Sequence, residues 1–270
     1  MRLDIVIPAH NEEVRIGRTL RAYRKVCGGP DFRFVVALDR CTDATADVVR
    51  RHMALDPRVR LLRFGKLGKG GVLMETFREC EADLIGFVDA DCATPPSEFL
   101  RLVEAARSAD GAIATRNHPA AVLPARRSLS RRMASAGFAM VVKTLFRLPH
   151  SDTQCGAKVL RRVALQRIVP LMSSRDFLFD VDLLVVARRL GFRIVDVPTI
   201  WIDRDGSRLQ TASDSARMAA SAVRLWLHHK VIPIPDASDV APPATLETTD
   251  DAHNSAVVEQ ARDLISTPRA

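Results

Sequence analysis

The chain has 270 residues, of which 47% are hydrophobic and 5% aromatic, and it carries a net charge of +8. A chain of this length and composition can bury the core of one large domain or of two small ones. No stretch approaches 18 consecutive apolar residues, and the N-terminus enters a strand pattern without the apolar core of a signal peptide, so we expect a cytoplasmic protein.

The cysteines and the aromatic residues exclude further classes of protein. The five cysteines are far apart, with no Cys-x-x-Cys pair and no Cys/His cluster, so we expect reduced thiols rather than a zinc site or a disulfide framework. The low aromatic content leaves few side chains for stacking on bases, and the chain has no recognisable nucleic-acid-binding motif. We therefore expect no nucleic-acid partner.

The first 115 residues alternate between two hydrophobic patterns. Short runs rich in β-branched residues predict strands at 3–8, 32–39, 59–64, 83–89 and 111–115. Apolar residues at helical spacing predict helices at 12–26, 45–53, 71–80 and 97–109. This alternation predicts an α/β fold with a mostly parallel central sheet and helices on both faces. Ligands bind outside the carboxyl ends of such strands, which places four segments along one rim: 8–12, 39–43, 65–71 and 89–91.

The second half of the chain is less regular. Its patterns predict helices at 126–148, 159–170, 181–190 and 213–229 and a strand at 193–202. Residues 111–151 include seven Lys or Arg and no acid, so this segment either faces an anion or is a solvated basic surface. From residue 236 the composition changes to Ala, Pro, Thr and Asp, which predicts a largely disordered acidic tail over 236–270.

Two carboxylates stand at the end of the fourth predicted strand. The sequence FVDADCATP (87–95) places Asp89 and Asp91 two residues apart where the apolar run stops. Because the backbone turns there, both can reach one cation, and hard oxygen ligands suit Mg²⁺ or Mn²⁺. A short acidic turn before a helix is the alternative interpretation. Asp39 ends the second strand in the same way, as an acceptor for a base or a ribose.

A glycine-rich turn, GKLGKGG (65–71), precedes a predicted helix and is a candidate phosphate-binding loop. It is not a Walker A loop, because no glycine stands at the required offset before Gly68-Lys69 and no Ser or Thr follows Lys69. The first strand is not followed by G-x-G-x-x-G, which argues against a dinucleotide-dependent oxidoreductase.

Further acids and histidines lie in the second half. Asp180 and Asp182 are candidate general bases for a hydroxyl acceptor, or alternatively helix caps or partners of Arg175 and Arg188. The pair at 228–229, both histidines, predicts a solvated helix end rather than a metal site.

Seven motifs in this order resemble inverting family 2 glycosyltransferases of the GT-A fold, most of all the dolichyl-phosphate β-glucosyltransferases and related polyprenyl-phosphate glycosyltransferases. The resemblance covers roughly residues 3–210. The motifs are IVIPAHNEE (5–13), LDRCTDAT (38–45), GKGG (68–71), FVDADCATP (87–95), DTQCGAKVLRR (152–162), FLFDVDLL (177–184) and GSRL (206–209). The resemblance implies a GT-A domain over 1–235, with a nucleotide-sugar-binding half (1–115) and an acceptor-binding half (116–235).

The resemblance also implies roles for individual residues on the donor side. Asp91 would ligate a metal on the diphosphate and act in catalysis, Asp89 would approach the ribose and the metal, and Asp39 would receive the base. The remaining residues of the implied nucleotide-sugar site are Pro8, Ala9, Glu12, Lys69, Ala90 and Gln154.

On the leaving-group and acceptor side, Arg208 would help to hold the diphosphate, and Asp182 is the further catalytic candidate. Three arginines fall where the lipid-phosphate enzymes bind the acceptor phosphate: Arg116, Arg127 and Arg131.

The function implied is transfer of a hexose, glucose from UDP-glucose, to a polyprenyl or dolichyl phosphate, with Mg²⁺ or Mn²⁺, on the inner face of the membrane. The alternatives are a GDP-mannose-dependent mannosyltransferase, an enzyme with a soluble hydroxyl acceptor, a nucleotidyltransferase and a non-catalytic nucleotide-sugar-binding protein. A nucleotidyltransferase would release pyrophosphate, whereas a glycosyltransferase releases a nucleoside diphosphate.

Overall fold

The structure is a computed structural model that describes residues 1–122, 129–202 and 212–231, with the backbone alone for 129–136 and 212–217. A seven-stranded sheet has the order β3-β2-β1-β4-β6-β5-β7. The strands are β1 (Leu3–Ala9), β2 (Phe32–Asp39), β3 (Val59–Phe64), β4 (Leu84–Val88), β5 (Gly111–Thr115), β6 (Ala157–Arg161) and β7 (Ile194–Pro198). All neighbouring pairs are parallel except those that involve β6.

The helices of the described residues are α1 (Ile16–Val26), α2 (Thr45–Leu55), α3 (Gly68–Glu79), α4 (Pro96–Arg107), α5 (Leu129–Phe146), α6 (Arg162–Ile168), α7 (Phe179–Arg189) and α8 (Ala212–Val231). Up to β5 the helices alternate with the strands, as the sequence predicts, whereas α6 and α7 follow one another without a strand between them. The α/β prediction is therefore confirmed. The predicted tail at 236–270 lies outside the described residues.

The helix predicted over 159–170 is wrong at its start. Residues 157–161 instead form β6, which runs antiparallel between β4 and β5, and the helix α6 begins only at Arg162. The periodicity of a short apolar run does not distinguish a buried strand from a helix. Here the run forms a strand because it pairs with both β4 and β5. Because β4 and β5 each run opposite to β6, their carboxyl ends lie at the same edge of the sheet as the start of β6.

The core consists of two apolar layers, one on each face of the sheet. Alternate side chains of a strand point to opposite faces, so Val6 contributes to one layer and Ile5 and Ile7 to the other. The helices α3, α6 and α7 bury side chains in the first layer, and α1, α2 and α4 in the second. Because helices pack on both faces, the sheet holds the ends of β2 and β4, which carry the predicted site acids, in fixed positions.

A buried ion pair crosses the first layer. Lys158 on β6 is fully buried, donates to Asp180 of α7 at 2.5 Å and to the carbonyl of Cys155 at 2.8 Å, and lies 5.4 Å from the ring centre of Phe87. An unpaired charge at such a place would be strongly unfavourable, so the pair ties β6, α7 and the turn before β6 together. In the described parts of the chain, no helix is long and apolar enough to cross a bilayer.

Candidate functional site

The loops after β1 and β2 are joined by hydrogen bonds at one edge of the sheet. The Asn11 side chain accepts from the Thr42 amide at 2.8 Å, and the Glu12 amide donates to Thr45 Oγ1 at 2.8 Å. Two loop residues here, Asn11 and Arg40, have positive φ angles of 55° and 43°, which are uncommon for residues other than glycine. The loops are thus held in one conformation by their mutual contacts.

Of the predicted nucleotide-binding residues on β1, Pro8 is partly exposed and Ala9 is buried. The Ala9 carbonyl accepts a hydrogen bond from the Cys41 thiol at 3.3 Å. Glu12 forms a two-point ion pair with Arg15, at 2.6 and 2.7 Å. The structure brings all three to the predicted rim.

Asp39 connects the end of β2 to the glycine turn. Its two carboxylate oxygens accept from the backbone amides of Leu67 at 2.8 Å and Gly68 at 3.1 Å. Gly68 has a φ of +77°, and a side chain there would lie 2.7 Å from the Arg175 carbonyl oxygen. That oxygen accepts from the Gly71 amide at 3.0 Å. Protein groups therefore accept from amides of this turn that a bound phosphate would use. The composition of the turn suggests an open phosphate-binding loop, but the structure does not show one.

Lys69 projects from the same turn to the acids at the end of β4. Its ammonium donates to Asp89 Oδ1 at 2.8 Å and lies 5.9 Å from the centre of the Phe87 ring. Burial disfavours the charged ammonium, but the charges of Asp89 and Asp180 outweigh this effect and raise the pKa of Lys69. Lys69 is thus a fixed positive charge beside the acid pair.

Asp89 also lies against the turn before β6. Its amide donates to the Gly156 carbonyl at 3.2 Å, and a Cβ atom at residue 156 would lie 1.8 Å from Asp89 Oδ2. Only glycine leaves room for the carboxylate at this position. The DTQCG segment therefore has a structural link to the acid pair that its sequence does not reveal.

Asp91 is the second acid of the pair. Its carboxylate accepts from the Ala93 amide at 2.9 Å, while its carbonyl accepts from Arg18 at 3.3 Å and that of the preceding Ala90 from the Thr19 hydroxyl at 2.6 Å. Burial, and then the negative charge of Asp89, raise the pKa of the Asp91 carboxyl group. Two neighbouring carboxylates are a suitable donor set for a divalent cation.

The acid pair fits Mg²⁺ or Mn²⁺ as a partial ligand set. Both ions prefer oxygen ligands and commonly bind one or two carboxylates together with substrate phosphates. Within 1–122, 129–202 and 212–231 no cluster of three or more His, Cys, Asp or Glu side chains offers a complete cage. Coordination positions would therefore remain for a substrate.

The structure does not place Asp182 or Asp180 with the acid pair. Asp182 is fully buried and accepts from the amides of Ser173 and Ser174, each at 2.7 Å, and from His229 Nε2 at 2.7 Å. These hydrogen bonds occupy both carboxylate oxygens, and the general-base role of Asp182 stays a prediction. Asp180 pairs with Lys158, as described above.

The prediction that these acids pair with Arg175 and Arg188 is wrong, because both arginines contact other groups. Arg175 lies 3.6 Å from Glu75, and Arg188 donates to the carbonyls of Phe146 and Arg147. The solvated helix end predicted at 228–229 is wrong as well, because the side chain of His229 is only 7% exposed. In both predictions the local sequence misleads because the actual partners lie far away along the chain.

Arg116 follows β5 and forms a two-point ion pair with Asp152, at 2.6 and 3.0 Å. Its guanidinium also lies 4.8 Å from the ring centre of the buried Trp201. Burial would raise the pKa of the Asp152 carboxyl, but the hydrogen bonds and charge of Arg116 prevail and lower it. Arg127 and Arg208 lie outside the described residues, and only the backbone of Arg131, in α5, is described.

A cleft opens beside Arg116. Its walls are the end of β5, the second half of α5 and the 148–154 loop, including Gln154. The lining includes the basic side chains of Arg116 and Lys143 and the imidazole of His150, and the core residues Val142 and Leu148 lie beneath it. Sequence reasoning missed Lys143 as a site residue, although it belongs to the acid-free segment.

Comparison with solved structures identifies the fold. Crystal structures of glucosyl-3-phosphoglycerate synthase from Mycobacterium tuberculosis superpose with a TM-score of 0.64 at 16% identity, covering 86% of this chain and 80% of that one. One is described as a complex with Mn²⁺, uridine diphosphate and phosphoglyceric acid. The mostly parallel sheet therefore has the GT-A fold.

Sequence comparison then gives the family. The model of glycosyl transferase family 2 matches residues 4–169, and the chain belongs to this family. An undecaprenyl-phosphate mannosyltransferase of Micrococcus luteus is 31% identical over 84% of this chain and 94% of its own. A dolichyl-phosphate β-glucosyltransferase of Dictyostelium discoideum is 30% identical, over 83% and 73%. The chain spans only 38% of the glycosyltransferase AglD of Haloferax volcanii, which is 29% identical.

Gly156→Ala tests the importance of the close contact with Asp89. A methyl group at residue 156 would overlap the carboxylate, so Asp89 must turn away from Lys69. We expect a loss of glycosyl transfer of at least about a hundredfold, comparable to removing a key electrostatic group. The matched control is Gly28→Ala, where a Cβ meets nothing within 4 Å. Equal activity of the two variants would contradict this arrangement.

Proposed function

We propose that this family 2 glycosyltransferase transfers a hexose from a nucleotide sugar to a polyprenyl phosphate at a membrane surface. The donor we propose is UDP-glucose, and the reaction inverts the anomeric carbon. The observation that carries the proposal is the pair of Asp89 and Asp91 at the end of β4, beside Lys69 and within a rim also formed by Asp39 and Glu12. The enzyme would work at the inner membrane face as a peripheral protein.

The donor would occupy the rim between β1, β2 and β4. Asp39, Pro8, Ala9 and Glu12 are proposed to border the base and ribose. Asp89 and Asp91 would hold Mg²⁺ or Mn²⁺, which as a Lewis acid supplies charge stabilisation at the diphosphate. Support comes from the oxygen donor set and from the structural neighbour described with Mn²⁺ and uridine diphosphate.

The chemistry places few demands on a protein base. A phosphate monoester is mostly dianionic at neutral pH, since its second pKa is about 6, and so attacks without prior deprotonation. The bond from the anomeric carbon to the diphosphate breaks as the new bond to the acceptor phosphate forms, and negative charge grows on the leaving group. Lys69 and the proposed Arg208 would offset that charge. The buried position of Asp182 agrees with a reaction that needs no general base.

The cleft beside Arg116 is proposed to receive the acceptor. Its basic groups, Arg116 and Lys143, suit a phosphate. Asp152 compensates the charge of Arg116, whereas no ion pair of Lys143 exists within the described residues. Arg127 and Arg131 remain proposed acceptor-phosphate ligands. The names of the relatives, which act on dolichyl or undecaprenyl phosphate, support this acceptor class.

A mannosyltransferase that uses GDP-mannose is the second candidate function. It is favoured by the Micrococcus luteus relative, a mannosyltransferase that matches this chain over 94% of its own length. UDP-glucose remains our proposed donor because the DTQCG, FDVDLL and GSRL motifs resemble the glucosyl enzymes more closely. Donor selection is a difference in affinity set by the shape of the pocket.

A screen of donors and acceptors tests the proposal. Purified protein with Mn²⁺ or Mg²⁺ is supplied with UDP-glucose or GDP-mannose, with and without a polyprenyl phosphate, and release of nucleoside diphosphate is measured. We expect release that requires UDP-glucose, lipid phosphate and a divalent ion. Asp91→Asn should lower it by about a hundredfold or more, because one metal-binding oxygen is lost.

The matched control is Asp31→Asn, which changes an exposed carboxylate before β2. Release of pyrophosphate instead of nucleoside diphosphate would indicate a nucleotidyltransferase. Consumption of GDP-mannose alone would favour the mannosyltransferase. Donor binding without turnover would identify a non-catalytic protein, and turnover only with soluble alcohols would contradict the lipid acceptor.

Lys143→Met tests the acceptor cleft. Loss of a charge-assisted contact to the acceptor phosphate should raise the KM for polyprenyl phosphate about tenfold, with the KM for the nucleotide sugar unchanged. Lys25→Met, at an exposed position of α1, is the control. An equal rise in both KM values would show that Lys143 does not act on the acceptor.

A further inference from the structure

The helix α8 is connected to the glycine turn of the proposed donor site by a chain of polar contacts. At one end His229 Nε2 on α8 lies 2.7 Å from Asp182 Oδ1 in the first turn of α7. The Asp182 side chain is fully buried and that of His229 is 7% exposed. In the described residues, His229 Nδ1 is buried without a hydrogen-bond partner, which favours the tautomer with the proton on Nε2, where it is donated to Asp182.

The other oxygen of Asp182 holds the segment before α7. Asp182 Oδ2 accepts from the Ser173 and Ser174 amides, each at 2.7 Å. With a weaker contact from the Ser173 hydroxyl at 3.4 Å, the carboxylate accepts four hydrogen bonds, which fix the direction of this segment relative to α8. Asp182 therefore links α8 to residues 173–175 through hydrogen bonds to both.

The same segment then packs against the glycine turn. The Arg175 carbonyl accepts from the Gly71 amide at 3.0 Å, and a side chain at Gly70 would lie 2.6 Å from Phe179 Cβ and 2.9 Å from the Arg175 carbonyl carbon. This backbone contact has no spare space, so a shift of the segment must move the turn. The turn carries the amides that bind Asp39 and the Lys69 side chain that reaches Asp89.

We propose that Asp182 and His229 are positioning residues, which set the glycine turn, and with it Lys69 and Asp39, through the 173–175 segment. The hydrogen bond between His229 and Asp182 makes the affinity for the donor depend on the docking of α8. The donor part of this inference rests on the proposed function, whereas the mechanical coupling does not. Asp182 thus contributes to catalysis without contact with the reacting atoms.

His229→Leu tests the coupling, because leucine fills the space but cannot donate to Asp182. Hydrogen–deuterium exchange on the full chain should become faster at the amides of 173–175 and 68–71. Binding of UDP with Mn²⁺, measured by calorimetry with GDP in parallel, should weaken about three- to tenfold, the effect of one net hydrogen bond. His228→Leu is the control, since within the described residues the His228 ring forms no hydrogen bond and only meets His229 edge-on, with ring centres 5.6 Å apart.

A further variant separates positioning from folding. His229→Gln keeps an N–H donor and should restore most of the exchange protection and the nucleotide affinity. If the Gln and Leu variants behave alike, or if His229→Leu lowers only the unfolding temperature and leaves exchange at 68–71 as in His228→Leu, the proposal is overturned. If the unmodified protein binds neither nucleotide, the proposed donor fails, and the exchange at 68–71 alone then decides the coupling.

Discussion

The position of the Asp89 carboxylate governs the geometry of the whole rim. Lys69 donates to it at 2.8 Å, and the absence of a side chain at Gly156 gives it the space that it occupies. The contact joins three parts of the fold: the first turn of α3, the end of β4 and the turn before β6. Because β6 runs antiparallel between β4 and β5, the same edge also carries Arg116 at the end of β5. The proposed donor and acceptor regions thus lie at the same edge of the sheet.

Charge compensation distinguishes the supporting residues from those available to substrates. Asp180, Asp152 and Asp182 are buried and are neutralised or hydrogen-bonded by groups of the protein itself. At the end of β4, Lys69 compensates the charge of Asp89, whereas the pKa of Asp91 is raised by burial and by the adjacent Asp89. A buried carboxylate beside a like charge is unfavourable unless a cation joins it. The fold therefore uses buried polar contacts to hold the rim, and within the described residues Asp91 has no ion pair of its own.

The local patterns of the sequence predict much of this structure. The alternation of strands and helices up to Thr115 and the acids at the ends of β2 and β4 follow from hydrophobic periodicity and from the rule for ligand sites in parallel sheets. The strand β6 was missed because its apolar run continues into α6. The contacts of Lys158 with Asp180, and of His229 with Asp182, join residues 22 and 47 positions apart, and no local pattern encodes such pairs. The glycine turn is likewise occupied by a distant group, the Arg175 carbonyl, which no local pattern reveals.

The central claim is that Asp89 and Asp91 bind a divalent cation together with the diphosphate of the donor. Anomalous diffraction at the manganese edge, from crystals grown with Mn²⁺ and UDP, tests it most directly. The account predicts a single strong peak in direct coordination with an Asp91 carboxylate oxygen and with diphosphate oxygens, on the side of Asp89. A bound UDP whose diphosphate contacts only lysine and arginine side chains, with no anomalous peak beside Asp91, would contradict it.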